Sequence, residues 1–350
     1  MSLSRSVLLA VSLVSLAAAA CGGSTDDGAS AADQALTNGA QTLASSLTDP
    51  GSLTAQGDNV FFTTTYGFAT QEEAEYHHDI WVKNGSARAK RLYKNLYGAT
   101  WGMTATKNGL YEINEGYASL VRYPLDGSKP DGDQLYHAIY GHEELPEVGI
   151  VQLAADDVGL VLALRSDDGT SAPGDIVALG PDGKNEKKLG SVPGAASALA
   201  IDGGDVLVGT TTGDVLRGAR DGSRPLSKVA SVTGSVTSIL VAGGDLFVAS
   251  DKGLGVKRAS AASVTSLVSA GTSNLATSGT QVFFAQGDKG VFSLPLAGGT
   301  PKQMLDVKRT SSILPNGNGL FVTDAALGPC HNEEEGESCT WEGVAYRVAL

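Results

Sequence analysis

Positive charge, aromatic residues and sulfur are all scarce in this sequence. Lysine and arginine number 25 against 38 acidic residues, which gives a net charge of −13. A field of this sign repels phosphate backbones, so the composition argues against nucleic-acid binding. Only 18% of the residues are charged, whereas 45 residues are glycine and 42% are apolar. That balance favours many short strands around a sizeable core over long helices.

Motifs for common chemistries are also missing. The sequence contains no Gly-x-Ser-x-Gly turn, P-loop, dinucleotide-binding fingerprint or paired-carboxylate pattern. Its acidic runs lack the alternating oxygen ligands and the central glycine of an EF-hand loop. We therefore predict no cofactor and no metal site. The sequence favours a non-enzymatic protein but leaves enzymatic activity open.

The first 20 residues indicate an export signal. A basic residue precedes an apolar run over positions 7–16, and small residues occupy positions 17–20. Residues 18–22 resemble a bacterial lipobox, although Ala18 stands where that motif usually has leucine. The resemblance implies an exported protein that is lipid-anchored at Cys21 in the bacterial cell envelope, at the outer membrane or the periplasmic face. The alternative is an ordinary secretory signal with an incidental cysteine.

The cysteine count supports the lipid anchor. Lipidation of Cys21 leaves Cys330 and Cys339 as one pair, whereas an odd thiol in an exported protein needs an explanation. In an oxidising compartment we expect these two to form a disulfide, worth about 2–3 kcal/mol. A zinc site built on the pair and His331 lacks a clear fourth ligand.

The chain divides into three segments. Residues 1–20 form the signal peptide, and residues 21–40 are small, polar and aperiodic, which predicts a flexible tether. Residues 41–350 contain seven copies of one unit. Their apolar anchors recur every 36–50 residues, at Val60, Leu110, Leu160, Val206, Leu246, Val282 and Leu320.

Each unit predicts four short strands. A large apolar residue stands seven positions before each anchor, a turn former or polar residue directly before it, and a bulky residue directly after it. Asp-Gly turns at 126–127, 182–183 and 221–222 mark a second hairpin. Four strands in each unit of this length are typical of propeller blades.

The last unit lacks a fourth strand. It stops at Leu350 after three strands, whereas residues 41–45 resemble the fourth strands of other units. We predict that this N-terminal segment completes the last blade and closes the ring, which removes exposed sheet edges. The predicted fold is an all-β, seven-bladed β-propeller with four-stranded blades. Over residues 41–350 its repeats resemble bacterial lipoprotein propellers with TolB-like, NHL-like and YWTD-like units, a likeness that implies fold rather than activity.

The positions expected to line the central channel carry no acid, base or histidine. By the resemblance, the innermost strand of each blade lines this channel. Its expected residues are Ser52, Gly102, Gln152, Ala198, Ser238, Asn274 and Ser312 in one row, and Thr54, Thr104, Ala154, Ala200, Leu240, Ala276 and Leu314 in the other. A metal-dependent site there would need converging carboxylates or imidazoles. The sequence therefore argues against a central catalytic site.

Insertions cluster in units seven, one, two and three, which a closed ring makes neighbours. They span residues 66–78, 139–149, 166–174 and 326–341, and by the resemblance they share one face. This half-face is predicted to be raised, acidic and partly aromatic. The candidate binding residues on it are Tyr76, His77, His78, Trp101, His142, Glu143, Glu144 and Trp341.

Three interpretations of the half-face stay open. Acidic insertions are typical of a solvated surface that keeps a protein soluble. Loops on a rigid scaffold, with aromatic anchors in a polar rim, are typical of partner recognition. A metal or catalytic site would use His77, His78 and His142, but adjacent histidines on a strand point to opposite faces.

The leading hypothesis is a non-enzymatic, lipid-anchored scaffold that recognises a protein or glycan through the loops of blades seven, one, two and three. The alternative is a lyase or hydrolase acting on an extracellular polymer, or a metal-binding protein, with an off-centre loop site. The membrane contact is the N-terminal lipid. Because no strong apolar surface stripe is evident, the sequence predicts a monomer.

Overall fold

A computed structural model describes residues 40–47, 50–69, 74–85, 87–98, 100–114, 119–137, 148–166, 174–333 and 336–350. In these ranges, 28 strands form seven four-stranded antiparallel sheets. The predicted all-β, seven-bladed propeller is confirmed. The described part has one short 3₁₀ turn, Gly287–Lys289, and no α-helix. Nowhere in these ranges is a helix long and apolar enough to cross a membrane.

The first described strand, β1 (Gln41–Leu47), belongs to the last blade. Blade 1 comprises β2 (Pro50–Gln56), β3 (Asn59–Ala69), β4 (Ala74–Asn84) and β5 (Lys90–Tyr97). Blade 2 comprises β6 (Gly102–Thr106), β7 (Gly109–Asn114), β8 (Ser119–Tyr123) and β9 (Asp133–His137). Blade 3 comprises β10 (Val148–Asp156), β11 (Gly159–Ser166), β12 (Gly174–Leu179) and β13 (Lys187–Val192).

The remaining blades follow the same order, from inner to outer strand. Blade 4 comprises β14 (Ala196–Asp202), β15 (Asp205–Thr210), β16 (Asp214–Ala219) and β17 (Ser227–Ser231). Blade 5 comprises β18 (Val236–Ala242), β19 (Asp245–Ser250), β20 (Gly253–Lys257) and β21 (Thr265–Val268). Blade 6 comprises β22 (Ser273–Thr277), β23 (Gln281–Ala285), β24 (Val291–Pro295) and β25 (Lys302–Leu305). Blade 7 comprises β26 (Thr310–Asn316), β27 (Gly319–Glu333), β28 (Gly336–Ala349) and β1.

The core lies in layers between neighbouring blades. All seven repeat anchors are buried, and so is the residue after each of them, from Phe61 in blade 1 to Phe321 in blade 7. Adjacent residues of a strand face opposite sides, so the second strand of every blade is covered on both faces. Phe61 and Leu110, for example, pack in one layer between blades 1 and 2. Burial of each such side chain stabilises the fold by about 1.5–3 kcal/mol.

Tight turns explain the recurring glycine three positions before most anchors. These glycines adopt the left-handed backbone conformation, with φ between 57° and 89°, at Gly57, Gly203, Gly243, Gly279 and Gly317. Residues with a Cβ rarely adopt this conformation, so glycine is the residue that permits the turn.

An N-terminal strand closes the ring. Each inner strand contacts the next, and β26 contacts β2. β1 pairs with β28, with Gln41 opposite Arg347 and Leu47 opposite Gly343, and thereby forms the outer edge of blade 7. The predicted completion of the last blade is thus consistent with the observed sheet order. Thr323 also donates a 2.8 Å hydrogen bond to the Gly51 carbonyl, which joins blade 7 to blade 1.

Two segments expected to be inserted loops are strands instead. The ladder between β3 and β4 continues to the pair Ala69–Ala74, and the ladder between β27 and β28 continues to Glu333–Gly336. Continuing the ladder pairs the backbone N–H and C=O groups that the two strands of each extension turn toward each other.

Candidate functional site

One face of the ring, here called the upper face, carries the links from each outer strand to the next blade. It also carries the β3–β4 and β27–β28 turns. β3 has 11 residues and β27 has 15, whereas the corresponding strand of blade 4 has six. Residues 326–333 continue β27 past the blade and, at about 3.3 Å per residue, extend about 26 Å. Two neighbouring blades therefore send hairpins outward from the upper face.

The blade 7 hairpin holds the two C-terminal cysteines. Cys330 and Cys339 are directly opposite partners in the ladder between β27 and β28. Directly opposite residues in an antiparallel pair have Cα atoms about 4.5–5.5 Å apart, a separation that a disulfide can bridge. The backbone register is therefore compatible with the predicted disulfide, which stays a prediction.

A row of three aromatic rings crosses blade 1 near the upper face. Tyr66, His77 and Tyr97 are direct partners on β3, β4 and β5. The rings of Tyr66 and His77 stack with centroids 6.0 Å apart, and the ring of Tyr97 meets His77 edge-on at 5.9 Å. Such cross-strand pairs fix ring orientation, since directly opposite side chains are close neighbours on a sheet.

A polar network supports one end of this row. The Tyr66 hydroxyl donates to Asn95 Oδ1 at 3.1 Å and to Asp79 Oδ1 at 3.4 Å. Asp79 also accepts the Asn95 N–H at 2.8 Å and pairs with Arg91 Nε at 3.2 Å. Burial and the nearby Asp79 carboxylate raise the pKa of the Tyr66 phenol, which therefore stays protonated as a donor. The guanidinium of Arg91 lies 5.0 Å from the ring centre of Trp81.

His78 lies in the core rather than on the exposed half-face where the sequence analysis placed it. Its side chain and that of Glu112 are both fully buried, with His78 Nε2 2.8 Å from Glu112 Oε1. His78 Nδ1 lies 2.8 Å from the Gly98 carbonyl. Burial lowers the pKa of His78, but the Glu112 carboxylate and the Gly98 carbonyl outweigh it and raise the pKa overall. Both ring nitrogens face acceptors, an arrangement that favours the imidazolium form and an ion pair with Glu112 between blades 1 and 2.

This ion pair supports the link between β5 and β6. The Thr100 hydroxyl donates to Glu112 Oε1, and the Trp101 N–H donates to the Ile113 carbonyl at 3.1 Å. The side chains of Tyr97 and Trp101, at the two ends of this link, are 58% and 53% exposed. Among large hydrophobic residues in the described part of the chain, only Val158 and Leu350 are exposed to a similar degree. The structure therefore concentrates exposed aromatic surface at one place on the upper face.

The structure describes the backbone positions of only some of the other candidate residues. Tyr76 lies opposite Gly67 on β4, and Trp341 lies opposite Leu327 on β28. The remaining candidates, His142, Glu143, Glu144 and Cys21, fall outside the described residues. In the part of the chain that is described, no group of three or more His, Cys, Asp or Glu side chains could hold a metal ion.

Sequence reasoning missed Tyr66, Tyr97 and Glu112. Glu112 had a visible signal, because it is the only charged residue in the otherwise neutral strand β7. An acid in a buried strand implies a buried cationic partner.

Polar side chains of the inner strands hydrogen-bond to the backbone of neighbouring blades. Thr54 Oγ1 accepts the Ala105 N–H at 2.8 Å, and Ser238 Oγ accepts the Leu275 N–H at 3.1 Å. Asn274 Nδ2 donates to the Thr310 carbonyl at 3.1 Å. These expected channel residues therefore tie blades together.

No family model and no curated protein matches this chain. Solved structures do match it. The WD40 β-propeller domain of Doa1 aligns with a TM-score of 0.60 and 13% identity, over 88% of this chain and 97% of that one. The computationally designed Ika8 protein aligns with a TM-score of 0.55 and 13% identity, over 88% and 98%. BamB from Moraxella catarrhalis aligns with a TM-score of 0.50 and 11% identity, over 87% and 85%. At such low identities the similarity shows the fold alone.

Proposed function

We propose that this protein is a non-enzymatic binding scaffold, held in the bacterial cell envelope by a lipid on Cys21. It recognises a protein or glycan through the upper face of blades 7, 1, 2 and 3. The observation that carries the proposal is the exposed pair Tyr97 and Trp101 beside the ordered ring of His77.

Exposed, well-ordered aromatic side chains suit binding. Tyr and Trp dominate the energetics of many interfaces because they bury a large area and lose few torsional freedoms. Here the link between β5 and β6 is already fixed by hydrogen bonds from Thr100 and Trp101 and by the ion pair beneath it. A partner therefore meets a preorganised surface, which lowers the ordering cost of association.

Affinity capture from native membranes tests the binding face. We expect Tyr97→Ala/Trp101→Ala to lose a partner that the wild-type protein retains, with a decrease of at least about tenfold. Val158→Ala is the matched control, because Val158 is 74% exposed on the β10–β11 turn, at the opposite face of the ring. Equal recovery with the two variants would reject the proposal, provided that both unfold at the wild-type temperature.

The anchor is tested separately. We expect the wild-type protein expressed in bacteria to incorporate radiolabelled palmitate and to enter the detergent phase on partitioning. Cys21→Ala should do neither. If the wild-type protein incorporated no label, lipidation would be refuted, and the proposed binding face would be unaffected by that result.

A further inference from the structure

Positive charge is concentrated at the outer edge of blade 1. No acidic residue lies between Asp79 and Glu112, whereas six basic residues do: Lys83, Arg88, Lys90, Arg91, Lys94 and Lys107. Arg91 pairs with Asp79, and Lys107 pairs with Asp157. Arg88, Lys90 and Lys94 are exposed on β5 or on the turn before it, and they have no ion-pair partner among the described residues. These three residues are called the cationic edge.

Lysines on the outer strands of other blades are paired. Lys188 on β13 lies 2.7 Å from a carboxylate oxygen of Asp175, and Lys228 on β17 lies 3.4 Å from one of Asp214. The cationic edge keeps its charge uncompensated within the described part of the chain. Charges in about 0.15 M salt are screened beyond about 8 Å, so the acidic residues of distant blades do not cancel this local field.

Two acidic residues flank the cationic edge. Asp58 is exposed on the turn between β2 and β3. Burial and the charge of Asp126 raise the pKa of the Tyr93 phenol on β5 to about 12, so Asp126 of blade 2 lies near this edge. Neither aspartate forms an ion pair with the edge in the ranges that the structure describes. The cations therefore outnumber the carboxylates beside them.

The backbone that presents the cationic edge is fixed. Lys83 is buried, and its Nζ donates to the carbonyls of Gly85 and Ala87 at 2.9 and 2.6 Å. The Ala87 N–H donates to the Asn84 carbonyl at 3.0 Å. These bonds hold the turn between β4 and β5, and β5 is held by its ladder with β4. The three exposed side chains therefore extend from a rigid edge.

This edge lies beside the strand to which the predicted tether is joined. Ala89, between two residues of the cationic edge, packs in the same layer between blades 7 and 1 as Ala44 of β1. Gln41, the first residue of β1, lies opposite Arg347. Burial lowers the pKa of the Lys83 amine, and the nearby charge of Arg347 lowers it further. Positive charge thus extends from the cationic edge to the start of β1.

The tether is short enough to keep this edge near a membrane. Twenty positions separate Cys21 from Gln41. A flexible chain of that length has an r.m.s. end-to-end distance of about 25 Å. A lipid on Cys21 would therefore hold the cationic edge close to the phospholipid headgroups. The choice of a membrane as the ligand rests on this proposed anchor.

We propose that the cationic edge docks on the anionic phospholipid headgroups of the membrane that holds the protein. Arg88, Lys90 and Lys94 pair with phosphate oxygens, and each cation near an anionic surface strengthens binding about fivefold. This attraction is weak by itself, but the tether keeps the local concentration of headgroups high. Because the strands run between the two faces of the ring, a membrane along the outer edge leaves the upper face open to a partner.

Co-sedimentation with phospholipid vesicles tests the proposal. The protein is the chain from residue 21 onward with Cys21→Ser, which keeps every described strand and carries no lipid. We expect at least about tenfold stronger partitioning into phosphatidylcholine vesicles with about 30% phosphatidylglycerol than into pure phosphatidylcholine, and loss of this difference in about 0.5 M salt. Arg88→Gln/Lys90→Gln/Lys94→Gln should weaken partitioning into the anionic vesicles at least about tenfold.

The matched control removes the same charge from the outer edge of blade 3. Lys184→Gln/Lys187→Gln/Lys188→Gln replaces three exposed lysines and should change partitioning less than about threefold. All substituted side chains are exposed, so both variants should unfold at the wild-type temperature.

Three results would overturn the assignment. They are equal partitioning into the two kinds of vesicle, equal losses in the two triple variants, and binding to immobilised poly-glutamate without binding to anionic vesicles. The last result would assign the edge to an acidic polypeptide. Because the tested chain carries no lipid, this outcome is independent of palmitate labelling, which tests the anchor, and of affinity capture, which tests the upper face.

Discussion

Replacing Glu112 with glutamine tests the buried ion pair between blades 1 and 2. The variant removes the carboxylate charge that faces His78 Nε2 and leaves a neutral amide there, while the Gly98 carbonyl still faces Nδ1. Removing one member of a buried pair costs about 3–5 kcal/mol of unfolding free energy. We expect about 3 kcal/mol, because His78 can release its proton in the variant and limit the penalty.

The penalty should depend on pH through His78. Burial opposes the charged form, but Glu112 and Gly98 hold the pKa of His78 above its ordinary value in the folded protein. The stabilisation is therefore complete below the pKa of an unfolded histidine, about 6.5, and is lost as the pH rises through the folded pKa. Asp79 also favours the charged form, and Tyr123 stays neutral because burial and Glu112 raise the pKa of its phenol.

Urea unfolding followed by tryptophan fluorescence, at intervals from about pH 6 to about pH 9, measures this difference. The gap between wild type and Glu112→Gln should be largest near pH 6 and should narrow as the pH rises. Lys188→Gln is the control, because it breaks a 2.7 Å ion pair with Asp175 that is partly exposed. Its effect should stay within about 0.5 kcal/mol.

Two results would refute the reasoning. A penalty below about 1 kcal/mol for Glu112→Gln would mean that the pair contributes no more than a surface pair. A penalty that stays constant or grows with rising pH would mean that His78 is not the titrating partner.

Three further predictions concern the ring and its hairpin. Deleting residues 1–47 removes β1 and exposes β28 as a sheet edge. We expect calorimetry to show aggregation or a Tm at least about 10 °C lower than that of the wild type. An unchanged Tm would contradict closure of the ring by β1. Gly290→Ala should lower the free energy of unfolding in urea by about 3 kcal/mol, because Gly290 has φ of 99° and an added Cβ would collide with the Leu305 carbonyl. Gly204→Ala is the control and should cost under about 1 kcal/mol, because the space around Gly204 is open. Equal costs for the two variants would contradict this explanation. Non-reducing peptide mapping should find Cys330 linked to Cys339, and Cys330→Ser should speed proteolysis of the hairpin and lower Tm by about 3–5 °C; free thiols in the exported protein would exclude the bond.

The fold could be predicted from the sequence because each blade repeats the same local requirements. The anchors and the residues after them are buried on both faces of a strand, and the glycines before them occupy left-handed turns. Both requirements therefore make apolar residues and glycines recur at a fixed spacing within each repeat. The strand β1 was also predictable, since the last unit has three strands and an open edge needs a partner.

The candidate site was harder to predict from the sequence than the fold, because its contacts join residues of different strands and blades. Alternation along β4 predicts that His77 and His78 point to opposite faces, but it does not say which face meets blade 2. That depends on Glu112, which lies 34 positions later in the sequence and contacts His78 across the layer between the two blades. The row of Tyr66, His77 and Tyr97 likewise depends on the register of three strands. The hairpin extensions were expected to be loops because their composition is polar and acidic, whereas the ladder continues through them.

The most direct test of the proposed binding face is affinity capture with the blade 7 hairpin shortened. Leu327 and Trp341 are partners in the ladder, so residues 328–340 can be replaced by Asn-Gly, a two-residue turn that closes an antiparallel pair. We predict that the wild-type protein retains a specific partner from native membranes and that both this variant and Tyr97→Ala/Trp101→Ala lose it. Recovery of the same partners, in the same amounts, by all three proteins would contradict a binding role for this face.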